Sequence, residues 1–159
     1  MQQTFALRKF AMNDLQRVVQ INRSCLPENY TDFFFVDLYE RFPETFLVAE
    51  EDGEIVGYIM CRVETGFPNF GLGGIIKKGH VVSVAVVHER RRKGIGEALV
   101  IKAMENMQSH YGAKQCFLEV RVTNDSAVEL YKKLGFETGK TIHGYYADGE
   151  NAYMMSKKL

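Results

Sequence analysis

Apolar residues recur along the chain with two different periods, and each period predicts one kind of element. Short apolar or alternating runs predict strands at residues 4–8, 46–50, 55–63, 81–87, 117–122, 136–142 and 152–156. Apolar residues at helical spacing predict helices at 32–41 and after Gly96. Two more helices are predicted after capping residues, which are Asn13 or Asp14 for one and Asn124-Asp125-Ser126 for the other. The order β-α-α-β-β-β-α-β-α-β-β predicts an α/β (α+β) chain in which helices cover one mixed sheet. We expect a single domain over residues 1–159.

Turn-forming residues separate these runs. Pro27 ends the first helical pattern, and Gly112 and Gly135 end the last two. Asp52-Gly53 stands between two apolar runs and predicts a hairpin. Residues 65–79 are rich in glycine and predict a long loop, which is mobile or functional.

The most informative stretch runs from His80 to Leu99. Its apolar, β-branched run Val81–Val87 predicts a buried strand, and a charged turn, His88–Lys93, leads from it to Gly94-Ile95-Gly96 and a helix. Glycines let backbone N–H groups approach a ligand closely. The first turn of a helix leaves those groups unpaired and partly positive. Together with the basic side chains of the turn, they predict an anion site suited to a pyrophosphate.

Other phosphate-binding sequences fit this stretch less well. A Walker loop needs Gly-Lys followed by Ser or Thr, which is absent, and the dinucleotide fingerprint needs a third glycine where Leu99 stands. The simplest alternative is a solvated charged turn before a surface helix. The residues Arg91-Arg92-Lys93-Gly94-Ile95-Gly96 resemble the Arg/Gln-x-x-Gly-x-Gly/Ala acetyl-CoA loop of the GNAT acetyltransferases.

Charge and cysteine content argue against several other classes of function. The formal net charge is zero, so no global field draws the chain to nucleic acid or to an acidic membrane. Three widely spaced cysteines without a C-x-x-C pair indicate neither a disulfide framework nor a zinc site. No apolar run reaches spanning length, and the N-terminus lacks the apolar core of a signal peptide. We therefore expect a cytoplasmic protein without membrane or specific nucleic-acid partners.

Three further stretches extend the resemblance over the whole chain. Residues 118–136, LEVRVTNDSAVELYKKLGF, look like the second half of a GNAT core. Residues 26–30, LPENY, and 144–155, GYYADGENAYMM, look like the protein N-terminal acetyltransferases, in particular the archaeal-type enzyme. The resemblance implies a GNAT fold with a mostly antiparallel, twisted sheet. It also implies transfer of the acetyl group of acetyl-CoA to protein N-terminal α-amines by direct attack in a ternary complex, without an acyl-enzyme.

The resemblance implies that acetyl-CoA binds along the central strand, the basic turn and the following helix. Backbone groups of the strand would extend the sheet toward the pantetheine arm, and the Asn124 amide would bond that arm. Tyr131 would stand near the sulfur and protonate the departing thiolate, with core packing as the alternative for this ring. The residues implied in acetyl-CoA binding are Val84, Ala85, Val86, Arg91, Arg92, Lys93, Gly94, Ile95, Gly96, Glu97, Asn124 and Tyr131.

The reaction needs a base, because a free α-amino group with a pKa of about 7.7–8.0 arrives largely protonated. Two ionisable residues, Glu119 and His80, are candidates for it. Glu119 interrupts an apolar strand, which is costly unless the carboxylate is hydrogen-bonded or functional. His80 opens the strand that leads to the basic turn. The resemblance implies that both take the proton, directly or through a water. The alternatives are a backbone-bonded histidine and an ion pair of Glu119 with Arg121 or another neighbour. Two ligands make no closed metal site, so no required metal is expected.

The resemblance also implies that the acceptor peptide lies between two loops. Leu26, Glu28 and Tyr30 would form one wall, in which Glu28 accepts a hydrogen bond from the substrate N-terminus and is a third candidate base. Tyr145 and Tyr146 would hold the first peptide bond from the other wall through their hydroxyls. Which of the three candidate bases is the principal one stays open, and so does simple packing of the tyrosines.

Two rival functions remain at this point. The first is another amine acceptor, namely a lysine side chain, a ribosomal-protein terminus or a polyamine. The second is a non-catalytic acyl-CoA-binding or auxiliary subunit. The expected partners are protein or nascent-peptide N-termini, with the ribosome and an auxiliary subunit as further candidates.

Overall fold

The computed structural model describes residues 4–159, within which seven strands form one sheet and four helices flank it. The strands are β1 (Ala6–Lys9), β2 (Phe46–Glu51), β3 (Glu54–Gly66), β4 (Ile76–Val86), β5 (Gln115–Arg121), β6 (Glu137–Ile142) and β7 (Ala152–Lys158). The helices are α1 (Leu15–Cys25), α2 (Asp32–Arg41), α3 (Ile95–Tyr111) and α4 (Asp125–Lys133). The sheet order is β1-β2-β3-β4-β5-β7-β6, and only β4 and β5 are parallel. The predicted order of elements and the mixed, mostly antiparallel sheet are confirmed.

Side chains of the inner strands alternate between the two faces of the sheet, so helices pack on both faces and the fold has three layers. Along β3, Tyr58 and Met60 pack against α1 and α2, whereas Ile59 and Cys61 face α3 and α4. Successive side chains of a strand point to opposite faces, so each face receives its own core. Both faces of the central strands are therefore buried, and a ligand reaches the middle of the sheet only where two strands part.

Such a parting lies between β4 and β5. The two strands pair only where Lys78–His80 runs beside Gln115–Phe117, although both continue well beyond. A β-bulge leaves Val82 as an extra residue of β4 against β3 in the same region. Beyond the paired segment, the edges that β4 and β5 turn toward each other are free to bind a ligand.

The predicted long loop is wrong in its bounds. It covers only residues 67–75, because β3 continues to Gly66 and β4 begins at Ile76. Gly79 is not a loop residue: a Cβ there would lie 2.2 Å from the Met107 Sδ of α3. The glycine thus permits close packing of strand and helix. As a result, His80 lies inside β4 and does not open it.

Asp52-Gly53 and Asn124 form the expected turn and cap, whereas Asp14 does not cap its helix. Asp52-Gly53 forms the β2–β3 hairpin turn with positive φ angles of 54° and 77°. The Asn124 side chain accepts a hydrogen bond from the Ala127 N–H and caps α4. Asp14 precedes α1 but does not cap it with its side chain, because the carboxylate accepts hydrogen bonds from the Arg8 guanidinium instead.

Candidate active site

A cavity of about 330 Å³ opens where β4 and β5 separate. The two strands form its floor, while the loop after α1, residues 26–31, and the loop between β6 and β7, residues 143–151, form two walls. Most of the residues predicted for catalysis and acceptor binding are brought together here. Those that line the cavity are Leu26, Glu28, Tyr30, Val84, Glu119, Asn124, Tyr131, Tyr145 and Tyr146.

Glu119 faces this cavity from β5 and is held from behind by His80. The imidazole Nε2 donates a hydrogen bond to the carboxylate at 2.7 Å, and the ring stacks on Phe117 with centroids 4.4 Å apart. His80 is 7% exposed, is not among the residues that line the cavity, and its Nδ1 has no hydrogen-bond partner within residues 4–159. The carboxylate therefore faces the cavity, and the imidazole orients it. The alternative of a backbone-bonded His80 side chain is wrong, whereas the alternative pairing of Glu119 with a neighbour is met by His80 and not by Arg121.

Arg121 holds a central position in this region, although sequence reasoning considered it only as a partner for Glu119. Its guanidinium donates to Glu28 at 2.7 Å, to Glu150 at 2.7 Å and to Asp148 at 2.9 Å. It also lies 4.0 Å from the ring centroid of Tyr146. Arg121 thus links the two loops that wall the cavity, and Glu28 already has an ion-pair partner.

One sequence signal for Arg121 was available. It follows Glu119 by two residues on the same strand, so both side chains leave the same face of β5. One guanidinium shared by three carboxylates leaves an excess of negative charge at the cavity mouth. Such an excess favours a cationic acceptor such as an ammonium group.

A second part of the site lies at the start of α3. Gly94, with a φ of 83°, is the residue that precedes α3. Because glycine has no side chain, no side chain at this position caps the first N–H groups of the helix. A Cβ on Gly96 would meet nothing closer than Val86 Cγ2, at 3.8 Å. Packing within the chain therefore does not require glycine at position 96. The open space above it fits a bound phosphate, as the predicted acetyl-CoA loop demands.

The cationic side chains of the basic turn differ in whether they have bonding partners within the chain. Arg91 Nε donates to the Val86 carbonyl at 2.9 Å, and Lys93 Nζ lies 3.3 Å from Glu51. Arg92, with a φ of 64°, has neither a hydrogen-bond nor an ion-pair partner among the described residues. Of the three predicted cations, Arg92 is therefore the one most available to a phosphate.

Three of the remaining residues predicted for acetyl-CoA binding have side chains that are engaged within the chain. Ala85 and Ile95 are buried, at 7% and 1% exposure. Glu97 pairs with Lys133 at 3.2 Å and so joins α3 to α4.

The family model of the acetyltransferase (GNAT) family matches residues 15–136. This chain belongs to the GNAT acetyltransferase family. It is 49% identical to the N-alpha-acetyltransferase of Sulfurisphaera tokodaii, over 98% of this chain and 93% of that protein. It resembles the crystal structure of Ard1 from Thermoplasma volcanium with a TM-score of 0.80 and 29% identity, covering 98% of both chains.

A further solved structure, Chaetomium thermophilum Naa20 in complex with a bisubstrate analogue, matches with a TM-score of 0.83 and 31% identity. The match covers 97% of this chain and 86% of that one. The family and the fold expected from the sequence are confirmed by these similarities.

The tyrosines of this GNAT chain are placed as hydrogen-bond donors at the cavity walls. The Tyr30 hydroxyl donates to the Val82 carbonyl at 3.4 Å, and the rings of Tyr145 and Tyr146 meet edge to face with centroids 4.9 Å apart. Burial and the Glu28 and Glu119 carboxylates raise the pKa of Tyr30; burial, with Glu119 adding, raises that of Tyr145 to about 12. Both phenols therefore keep their protons at neutral pH.

Tyr131 both packs in the core and lines the cavity. It is 8% exposed, and its ring meets Phe136 at 5.8 Å between centroids. Burial raises the pKa of its phenol to about 12. The core-packing alternative is therefore correct for this ring, which also lines the cavity.

A buried polar network connects the acceptor loop to the sheet. The Asn22 amide of α1 donates to the Glu28 carbonyl and to the Tyr58 hydroxyl, both at 3.1 Å. The hydroxyls of Tyr58 and Ser83 lie 2.7 Å apart, and Ser83 lines the cavity. Such a fully bonded network holds the loop rigidly. Its only sequence signal was an asparagine at an apolar position of the first helical pattern.

Within the described residues, neither the two buried cysteines nor a group of metal-ligating side chains offers a further kind of chemistry. Cys61 and Cys116 are buried, and burial raises the pKa of Cys116 to about 12, so neither suits a thiolate nucleophile. Within residues 4–159, no three His, Cys, Asp or Glu residues are grouped so that they could hold a metal ion. In the same range, no helix is long and apolar enough to cross a membrane.

Proposed function

We propose that this chain is an acetyl-CoA-dependent N-alpha-acetyltransferase that acetylates the N-terminal α-amine of proteins and nascent peptides. The observation that carries the proposal is a carboxylate, Glu119, presented between two tyrosine-bearing loops at the point where β4 and β5 separate. The names of the relatives support it: the Sulfurisphaera tokodaii protein is an N-alpha-acetyltransferase, and Naa20 was crystallised with a bisubstrate analogue.

Acetyl-CoA is held by three features of the chain. The N–H groups at the start of α3, with Arg92 beside them, bind the pyrophosphate. The free edge of β4 at Val84 and the amide of Asn124 bind the pantetheine arm. The thioester then lies between the separated strands, where the amine attacks it directly. The residues that line the cavity fit this course of the ligand.

Glu119 is the base that removes the proton of the incoming ammonium. It faces the cavity, whereas the His80 nitrogen nearest to it is already engaged in the hydrogen bond to the carboxylate. His80 therefore orients Glu119 and is a positioning residue. Glu28 is the weaker candidate, because its carboxylate is paired with Arg121; it receives the ammonium at the mouth.

Tyr131 stabilises the departing thiolate as a hydrogen-bond donor. A phenol with a pKa of about 12 is a much weaker acid than an ordinary thiol, whose pKa is about 8.5. Complete transfer of its proton to the thiolate is therefore unfavourable. Donation of a hydrogen bond needs no such transfer and still lowers the energy of the developing charge.

The proposal is tested by acetylation of a peptide library varied at its first two residues, with acetyl-CoA as donor and thiol release as readout. We expect acetylation of free N-termini. The matched control is each peptide with a blocked N-terminus and an internal lysine, and spermidine is a third arm. Faster reaction of the blocked peptides or of spermidine would favour the rival acceptors, which the negative excess around Arg121 also suits. Acetyl-CoA binding without any turnover would favour the non-catalytic subunit.

The tyrosine walls give a separate prediction. Tyr30→Phe and Tyr146→Phe each remove a hydroxyl and keep the ring, so we expect the KM for peptide to rise about fivefold, the effect of one lost hydrogen bond. The KM for acetyl-CoA should change less than twofold. Steady-state kinetics with each substrate varied in turn measure both values. Equal changes in the two KM values would mean that the tyrosines only support the fold.

Protein N-termini are the proposed partners of this chain. N-terminal segments of proteins fit the open mouth between the two loops. The ribosome, an auxiliary subunit and a cytoplasmic location stay predictions.

A further inference from the structure

Glu51 is a buried carboxylate that the proposed mechanism does not use. It ends β2 next to the hairpin turn and is 3% exposed. Its oxygens accept hydrogen bonds from Lys93 and the Thr4 hydroxyl, and Arg90 Nη1 lies 3.2 Å away. Burying a carboxylate is costly unless it is paired. Here both cationic partners come from the basic turn between β4 and α3.

The same turn contains a strained residue. Arg92 has a φ of 64°, which is unfavourable for a non-glycine residue and persists only where its surroundings enforce it. The residues on either side of Arg92 are both tethered. Arg91 is bonded to the Val86 carbonyl of β4, and Lys93 is bonded to Glu51 of β2.

We infer that Glu51 is a positioning residue for acetyl-CoA: by holding Lys93 and Arg90 it keeps the 88–94 turn in the shape that exposes the first N–H groups of α3 to the pyrophosphate. It also removes two cations from direct phosphate contact and leaves Arg92 facing the ligand. The inference rests on the proposed use of acetyl-CoA. Because the turn is ordered before acetyl-CoA arrives, the binding step does not include the entropy loss of ordering it.

The ionisation of Glu51 agrees with this role. The Thr4 hydroxyl, followed by Lys93 and Arg90, lowers the pKa of its carboxyl below the ordinary value. Both ion pairs therefore persist at neutral pH. An uncharged amide at this position keeps the shape of the side chain and loses the attraction for two cations.

The test compares Glu51→Gln with Glu50→Gln. Glu50 is the adjacent residue, on the other face of β2, and pairs with Arg8 at the surface. For Glu51→Gln we expect the KM and the calorimetric Kd of acetyl-CoA to rise about tenfold, as a preorganisation effect. The peptide KM and kcat should change less than twofold, and Glu50→Gln should leave all of them unchanged. Glu51→Asp should recover part of the loss.

A double-mutant cycle with Lys93→Met separates positioning from direct contact. If Lys93 acts through Glu51, the double variant binds acetyl-CoA no more weakly than Glu51→Gln does. A further loss in the double variant would mean that Lys93 contacts the phosphates itself and would overturn the inference. So would tighter binding by Glu51→Gln, because the freed cations would then be better ligands than the ordered turn.

Stability is controlled with a variant that keeps Glu51 intact. If Glu51→Gln does not fold, Lys93→Met in the otherwise unchanged chain must still weaken acetyl-CoA binding without changing the peptide KM. An unchanged Kd for Lys93→Met would reject the inference. Failure of the wild-type protein to bind acetyl-CoA at all would instead reject the proposed function.

Discussion

Glu119→Gln is expected to lower kcat by roughly 100-fold or more, the range for loss of a general base. Glutamine keeps the size of the side chain and can still accept the hydrogen bond from His80, but it cannot take a proton. Because Glu119 lies on β5, away from the start of α3, the Kd of acetyl-CoA should change less than twofold. Single-turnover kinetics, together with calorimetry, separate the chemical step from binding.

The pH dependence of this variant is the sharper part of the prediction. Substrate α-amines have a pKa of about 7.7–8.0, so a larger share is neutral at higher pH and needs no base. Activity of Glu119→Gln should therefore recover partly as the pH rises. We would measure kcat between about pH 6 and 9.5, a range that spans this pKa. A loss that stays constant across the range would mean that Glu119 does not act as the base.

His80 and Glu28 complete this experiment. His80→Ala should lower kcat less than Glu119→Gln, and the double variant should lose less than the product of the two single losses, because both residues serve one proton path. Glu28→Gln is the matched carboxylate control at the mouth and should raise the peptide KM more than it lowers kcat. Wild-type turnover in Glu119→Gln would make Glu28 the leading candidate. If these variants lost activity and acetyl-CoA binding together, His80 and Glu119 would be a structural pair.

Gly96→Val is expected to weaken acetyl-CoA binding by roughly 100-fold, which corresponds to about 2.8 kcal/mol. A branched side chain would occupy the space in which the N–H groups of α3 meet the pyrophosphate. The fold itself should tolerate the change, because the nearest atom to a Cβ at this position is 3.8 Å away. Calorimetry with acetyl-CoA and the thermal midpoint of the ligand-free protein test the two halves of the prediction.

Gly94 and Arg92 provide the comparison. A substitution at Gly94 strains the backbone as well, because its φ is 83°, so stability and binding should fall together. Arg92→Ala removes charge but keeps the backbone N–H groups, and we expect a smaller loss than for Gly96→Val. Unchanged acetyl-CoA affinity in a folded Gly96→Val variant would contradict the assignment of this turn to the pyrophosphate.

Local sequence patterns determined the order of elements, the hairpin at Asp52-Gly53 and the cap at Asn124. These features depend on neighbours within a few residues, which periodicity and turn chemistry report directly. The bounds of the loop predicted at 65–79 were wrong because local composition does not report contacts with distant residues. Gly79 looks like a loop residue by composition, whereas its cause is the Met107 side chain of α3, far away along the chain.

The relations among charged side chains were decided only by the tertiary structure. Sequence reasoning found Glu119, Glu28 and His80 as ionisable groups, but their pairings depend on which strands and loops meet. Folding places Arg121 on Glu28, 93 residues away along the chain, and Glu51 on Lys93, 42 residues away. Coulomb energy falls with distance in space and not with separation in sequence. Residue types therefore predicted the candidate groups for the chemistry, and packing determined which of them faces the cavity.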